Sequence, residues 1–240
     1  MYLVKPVNKL FYNKFLYALE LQSPFYGIFR NKNLKYVKKC IDILNFNYTP
    51  NRTDPFKKHE GIGLPAWLLE ELKSSLIPYY KFVSAMDIYK FLCDNEDCIL
   101  RVEYPNIIKI YSNDKETLLS LAYKHKLGKV PVFYEPSANA INILQDEPNV
   151  VLIDTPNFGY EYKCKFTNRA RANDSIYKWL TNNCAKGKVR ITDSTLTLCR
   201  DKKWLEGRFI YCKDHATLTM AMLVMPDIIG KVEKLLYNDK

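Results

Sequence analysis

A chain of 240 residues, 48% of them apolar and 26% charged, carries enough hydrophobic material for a buried core, which excludes a disordered tail. No apolar run reaches the roughly 18 residues that a membrane-spanning helix needs, and the eight glycines form no G-x-x-x-x-G-K-[ST] phosphate loop. The net charge of +10 is unevenly spread: residues 1–60 hold 11 Lys/Arg and 4 Asp/Glu, residues 61–158 hold 9 and 13, and residues 159–240 hold 16 and 9.

A basic total points to polyanions, although 28 Lys against 8 Arg is also what an AT-rich genome encodes. Seven cysteines at irregular positions do not make a disulfide framework and fit a reducing interior. Met1–Pro6 lacks the apolar segment of a secretory leader. The expectation is a protein that stays in the cytoplasm, or in the host cell if a virus encodes it, with Asn47 and Asn51 unglycosylated.

In chain order, Lys9–Leu21 and Phe25–Arg30 read as two extended runs broken at Ser23-Pro24. Leu34, Val37, Ile41 and Leu44 then recur at helical spacing, with Asn31 or Asn33 available as N-cap. A polar loop leads to a helix opened by Pro65, so residues 1–75 are expected to form an N-terminal hairpin with helices. From there the pattern predicts a strand at Tyr79–Val83, a helix capped by Ser84, a hairpin of Ile99–Tyr104 and Ile107–Ser112 turning at Pro105-Asn106, a helix from Asp114 ended by Gly128, and a strand at Val130–Tyr134.

Residues 138–158 read as a connection with a short strand at Val150–Ile153. In the following stretch Tyr160, Tyr162, Cys164 and Phe166 are expected inward, and Glu161, Lys163 and Lys165 outward. A helix at Asp174–Asn183, strands at Lys188–Thr192, Thr195–Cys199 and Phe209–Cys212, a helix from Asp214 and a strand near Val232–Leu236 complete the chain.

One nine-residue pattern occurs twice: Ile110-Tyr111-Ser112-Asn113-Asp114-Lys115-Glu116-Thr117-Leu118 and Ile210-Tyr211-Cys212-Lys213-Asp214-His215-Ala216-Thr217-Leu218. A second pair, Ile88-Tyr89-Lys90 and Ile176-Tyr177-Lys178, repeats in the same order. Together they suggest an internal duplication with a 12-residue insertion. The expected fold is therefore α+β: two tandem ferredoxin-like β-α-β-β-α-β units, an acidic one over 76–137 and a basic one over 159–240, each with helices on one sheet face.

Alternation places Lys163, Lys165, Lys188, Arg190, Thr192, Phe209 and Tyr211 on the open face of the second unit. Bases stack on rings while cations meet phosphates, so this set suits single-stranded RNA or DNA. Glu206–Tyr211 distantly resembles the aromatic strand of RNA-recognition modules, departing from it at Glu206 and lacking its third aromatic. Arg169 and Arg171, in the loop before a helix, are expected to add phosphate contacts beside Lys186 and Lys188. The first unit presents Arg101, Glu103, Lys109 and Tyr111, a mixed set suited to a protein partner.

No catalytic residue, cofactor or metal is expected. Cys212-x-x-His215 has no second ligand pair, His59 and His125 read as solvated, and no carboxylate pair suits a polymerase palm. The leading expectation is a non-enzymatic nucleic-acid-binding protein. The alternative is a structural or assembly protein, such as a viral one, using its sheet faces for protein contacts.

Overall fold

The computed structural model describes residues 1–23, 25–30, 32–47, 79–103, 106–125, 129–155 and 158–237. The expected Pro65 helix, Gly128 and His59 lie outside them. The chain divides into two compact units, one of residues 1–7 and 14–136, the other of residues 8–13 and 137–240.

The first unit contains β1 (Leu3–Val7), β2 (Tyr17–Gln22), a 3-10 turn (Tyr26–Phe29), α1 (Leu34–Asn47), α2 (Tyr79–Asp94), β3 (Ile99–Glu103), β4 (Ile107–Ser112), α3 (Lys115–Lys124) and β5 (Val132–Pro136). Its sheet runs β1-β5-β2-β4-β3, antiparallel except for the β1–β5 pair. The second unit contains α4 (Ala138–Asp146), β6 (Val150–Ile153), β7 (Tyr162–Phe166), α5 (Asp174–Ala185), β8 (Val189–Arg190), α6 (Asp193–Arg200), β9 (Phe209–Cys212), α7 (His215–Val224) and β10 (Ile229–Tyr237). Its sheet runs β6-β10-β7-β9-β8, again antiparallel except at the β6–β10 edge. With the strands of each unit counted in chain order, both sheets read first, fifth, second, fourth, third.

Register explains the cores. Leu100, Ile110, Leu19 and Phe133 lie in one row across four strands of the first sheet, all buried. On α2 and α3, Ile88, Leu118 and Leu121 are buried as well. In the second sheet Ile210, Cys164 and Val232 occupy the corresponding row and share a core with Ile176 and Leu180 of α5 and Leu218 and Ala221 of α7. Each fully buried side chain of this size contributes about 1.5–3 kcal/mol.

Several expectations are corrected. Among the described residues no N-terminal hairpin forms: both edges of β2 are taken by β4 and β5, and Tyr26–Phe29 is a 3-10 turn. The strand that precedes the helices of the first unit is this β2, not Tyr79–Val83. There Phe82, Ala85, Ile88 and Phe91 are buried at every third position, which is a helical stripe. Ser84 is therefore inside α2, and Asn33 caps α1 through the amides of Lys35 and Tyr36.

Thr195–Cys199 is also helical: Thr192 accepts from the Thr195 amide as N-cap, and Thr195 and Cys199 are buried one turn apart. The 138–158 stretch is part of the second unit, supplying α4 and the edge strand β6. His125 is buried: its Nδ1 lies 3.0 Å from the Ser84 hydroxyl and its Nε2 lies 2.9 Å from the Gln22 carbonyl.

Other expectations hold. β3 and β4 pair antiparallel, with Asn106 at φ +60° in their turn. Gly187 turns at φ +65° after α5. Residues 8–13 join the second unit by capping the β6 edge. The Leu152 amide donates to the Asn8 carbonyl at 2.7 Å, and the Asn8 side-chain amide donates to the Leu152 carbonyl at 2.9 Å.

Candidate functional site

The second sheet buries Cys164, Phe166, Ile210 and Cys212 against α5 and α7, so alternation turns Lys163, Lys165, Phe209 and Tyr211 to the opposite face. The register places Arg190, Tyr211, Lys163 and Glu233 in one row across β8, β9, β7 and β10, and Phe209, Lys165 and Lys231 in the next. A ring thus faces a cation on the neighbouring strand in both rows.

The rings and cations touch. Phe209 and Tyr211 meet edge to face with centroids 5.3 Å apart, and Tyr211 meets Phe158 in the same way at 5.0 Å. Lys163 Nζ stands 4.1 Å from the Phe209 centroid and 5.8 Å from that of Tyr211. The Arg190 guanidinium stands 5.3 Å from the Phe158 centroid. At half-exposed positions each such contact contributes about 0.5–1 kcal/mol and holds the cation in place.

Tyr160 belongs to this ring cluster, 5.6 Å from Phe158 and 6.4 Å from Tyr211, and is not inward as alternation suggested. Regular pairing begins only at Tyr162, and Gly159 at φ +77° re-aims the chain just before it. Phe158, Arg190, Ile191, Thr192, Asp193, Phe209 and Tyr211 line a recess of about 480 Å³ on this side.

Beyond the rings lies a charge cluster. Glu233 is 2% exposed and its Oε1 accepts from Lys231 at 3.1 Å and from Lys9 and Lys165 at 3.3 Å each. Its Oε2 is buried and has no hydrogen bond among the described residues. Burial resists ionisation of this carboxyl, but the Lys231 hydrogen bond and the charges of Lys9, Lys165 and Lys231 outweigh it and bring the pKa down to about 2. Lys163 shifts downward through burial and then through neighbouring Lys165.

Lys188, Arg169 and Arg171 fall outside these two rows. Lys188 is exposed just before β8, where its carbonyl accepts the Lys213 amide. Arg169 is exposed ahead of α5. Arg171 bridges to Trp204, donating to the Lys202 carbonyl at 3.2 Å with its guanidinium 5.9 Å from the Trp204 ring. These two arginines stand at the N-terminal end of α5, whereas Lys186 caps its C-terminal end. At about 1.5 Å per residue the helix separates them by some 18 Å, so they form no cluster beside Lys186 and Lys188. The α5 N-terminus is also supplied already, by Asn173 as cap and by Asp174, which pairs with Lys202 at 2.8 Å.

The corresponding face of the first unit is built differently. Ile99, Tyr111, Ala18 and Tyr134 stand where the second unit has Arg190, Tyr211, Lys163 and Glu233, with Tyr111 4% and Ala18 0% exposed. Lys109 pairs with Glu20 at 3.3 Å and Glu103 at 3.0 Å, Arg101 pairs with Glu103 at 3.3 Å, and the Tyr134 hydroxyl donates to Glu20 at 2.9 Å. Its charges are spent on one another.

Cys212 packs its sulfur 3.8 Å from that of Cys164 in the core, while His215 is exposed at the start of α7. Lys9, Lys231 and Glu233 were missed. Lys231-Val232-Glu233 does alternate, but β10 starts at Ile229, ahead of the strand expected near Val232–Leu236, and no local signal brings Lys9 to β10. No family model, curated protein or solved structure matches this chain.

Proposed function

We propose that the second unit binds single-stranded nucleic acid on the sheet face that carries Phe209, Tyr211, Lys163, Lys165 and Arg190. The observation that carries this reading is the interleaving of rings and cations: Lys163 within cation–π distance of both Phe209 and Tyr211, and Arg190 within that distance of Phe158. Bases stack on such rings without regard to sequence, and the flanking cations follow the backbone phosphates. In this proposal each unit is a ferredoxin-like module with an added parallel edge strand, both descend from one duplicated segment, and only the second copy keeps a cationic face. Titration of single-stranded RNA and DNA oligomers against the full chain tests it. Phe209→Ala with Tyr211→Ala is expected to cost roughly 1–3 kcal/mol per stacked base, and unchanged affinity in the folded double variant would refute it.

A structural or assembly role is the second reading, favoured by the outer side of α7. Met220, Met222 and Leu223 are exposed there, Leu223 by 70%, and the helix carries no Lys, Arg, Asp or Glu. Light scattering of the purified chain separates the readings: self-association lost on Leu223→Lys supports the second, and a monomer that binds oligomers supports the first.

A further inference from the structure

The recess beside Tyr211 holds more than rings. Arg190 and Asp193, of opposite charge, both line it together with Phe158, Phe209 and Tyr211. Among the described residues no ion pair joins the two or ties either to another side chain. Thr192 is occupied locally, its hydroxyl oxygen 3.4 Å from the Thr195 amide and 2.8 Å from the Thr195 hydroxyl. Asp193 follows on the exposed first turn of α6. At about 480 Å³ the recess falls within the roughly 300–1,000 Å³ of small-ligand sites.

A flat ligand between these rings would meet an acceptor-only carboxylate and a donor-only guanidinium. Among the nucleobases, guanine answers both. Its N1–H and N2 amino group are adjacent donors that a carboxylate takes in bidentate fashion, and its O6 and N7 are adjacent acceptors that match a guanidinium. Adenine and cytosine set one amino donor beside a ring acceptor that repels the second carboxylate oxygen. Thymine and uracil flank a single N–H with two carbonyls.

We propose that this recess is a guanine-selective base pocket, with Asp193 accepting from N1–H and N2, Arg190 donating to O6 and N7, and the base stacking on the ring of Tyr211 while Phe209 and Phe158, which meet that ring edge to face, flank it. The proposal rests on the nucleic-acid reading above and adds a base preference to it.

The test uses the full chain and short fluorescent oligothymidylates whose central base is thymine, adenine, guanine, inosine or 7-deazaguanine, followed by anisotropy. The guanine oligomer is expected to bind about ten-fold or more tightly than the adenine one. Inosine, which lacks the N2 amine, and 7-deazaguanine, which lacks the N7 acceptor, are each expected to lose most of that gain. Asp193→Asn is expected to bring guanine to the adenine affinity. Equal affinities for all five oligomers, with all five weakened by Phe209→Ala plus Tyr211→Ala, overturn the guanine pocket and leave the binding face standing. Guanine preference that survives Asp193→Asn or ignores inosine overturns the role of Asp193. No binding of any oligomer at low salt overturns both proposals.

Discussion

Asp114 and Asp214 make the same bond at the same point of the two units: Asp114 accepts the Thr117 amide at 3.0 Å and Asp214 the Thr217 amide at 2.7 Å. Each follows its unit's fourth strand and caps the helix that returns across the sheet. The Thr117 hydroxyl and amide hold the Asp114 pKa low, and the Thr217 amide and hydroxyl do the same for Asp214. A depressed carboxyl pKa stabilises the fold above its unfolded value and ceases to do so as pH falls through the folded one. Asp214→Ala is expected to lower unfolding free energy by about 1 kcal/mol at neutral pH, and Asp114→Ala to act in the same direction. Asp214→Asn keeps the cap and loses the acid dependence. Urea titrations at pH 7 and pH 3 check both, and an Asp214→Ala midpoint equal to wild type at pH 7 would show that the cap contributes nothing.

What could be read in the residues was local. The repeated Ile88-Tyr89-Lys90 and Ile176-Tyr177-Lys178 triplets lie on the helices before each unit's third strand, with Ile88 and Ile176 both buried. Beyond them Asn95 donates to the Phe91 carbonyl and Asn183 to that of Trp179, each at 2.8 Å. The Asp114 and Asp214 helix starts, the turn at Asn106 and the Lys163/Lys165 alternation depend on neighbours a few residues away, and these were legible. The place of β2 between β4 and β5 leaves no local trace, because its partners begin at Ile107 and Val132, far along the chain. The paths of Tyr160 and Lys9 are set by one glycine and by an edge-capping asparagine, neither of which leaves a periodic trace. Within the candidate site, Phe209, Tyr211, Lys163 and Arg190 were therefore accessible from pattern alone, while Phe158 and the Glu233 cluster were not.

His125 links the end of α3 to β2 and α2, and its tautomer follows from its partners. The Gln22 carbonyl can only accept, so Nε2 carries the proton and Nδ1 accepts from the Ser84 hydroxyl. Burial lowers its pKa, while the Gln22 bond and Asp87 act in the opposite direction with less effect. A histidine kept neutral in the fold stabilises it above the unfolded value of about 6.5, and that contribution is lost as pH falls toward the folded value. Nitrogen-detected NMR is expected to show the Nε2–H tautomer at pH 7. His125→Ala, which removes the partners of the half-buried Gln22 carbonyl and the buried Ser84 hydroxyl, is expected to cost about 1–3 kcal/mol. A charged ring at pH 7 contradicts this account.

The two kinds of side chain on the binding face separate by salt. Each phosphate contact to a single strand adds about 0.7 to the slope of log affinity against log salt, and stacking adds none. Lys165→Ala and Lys231→Ala are each expected to flatten that slope by about 0.7, whereas Phe209→Ala shifts the line without changing its slope. Arg171→Ala is expected to change neither, since Arg171 is engaged with Lys202 and Trp204. A slope unaltered in both lysine variants would remove them from the phosphate path.

Glu233 restrains the same lysines, and this sets its stability and binding effects in opposition. Its carboxylate is nearly buried under Lys9, Lys165 and Lys231, whose side chains are 37–44% exposed. Glu233→Gln leaves three cations facing one another across the site. Breaking a buried pair costs about 3–5 kcal/mol, and the exposure of the lysine ends reduces the expected loss to about 1–2 kcal/mol. The carboxyl pKa of about 2 lies below the unfolded value of about 4.3. The ion cluster therefore contributes fully above that unfolded value and fades as pH falls toward 2. Urea midpoints measured from pH 6 down to pH 3 should decline less steeply in the Gln variant than in wild type. Oligomer affinity at neutral pH should rise, because three lysines no longer share a carboxylate. A variant as stable as wild type, with the same affinity and the same acid dependence, would mean that Glu233 does not organise these lysines.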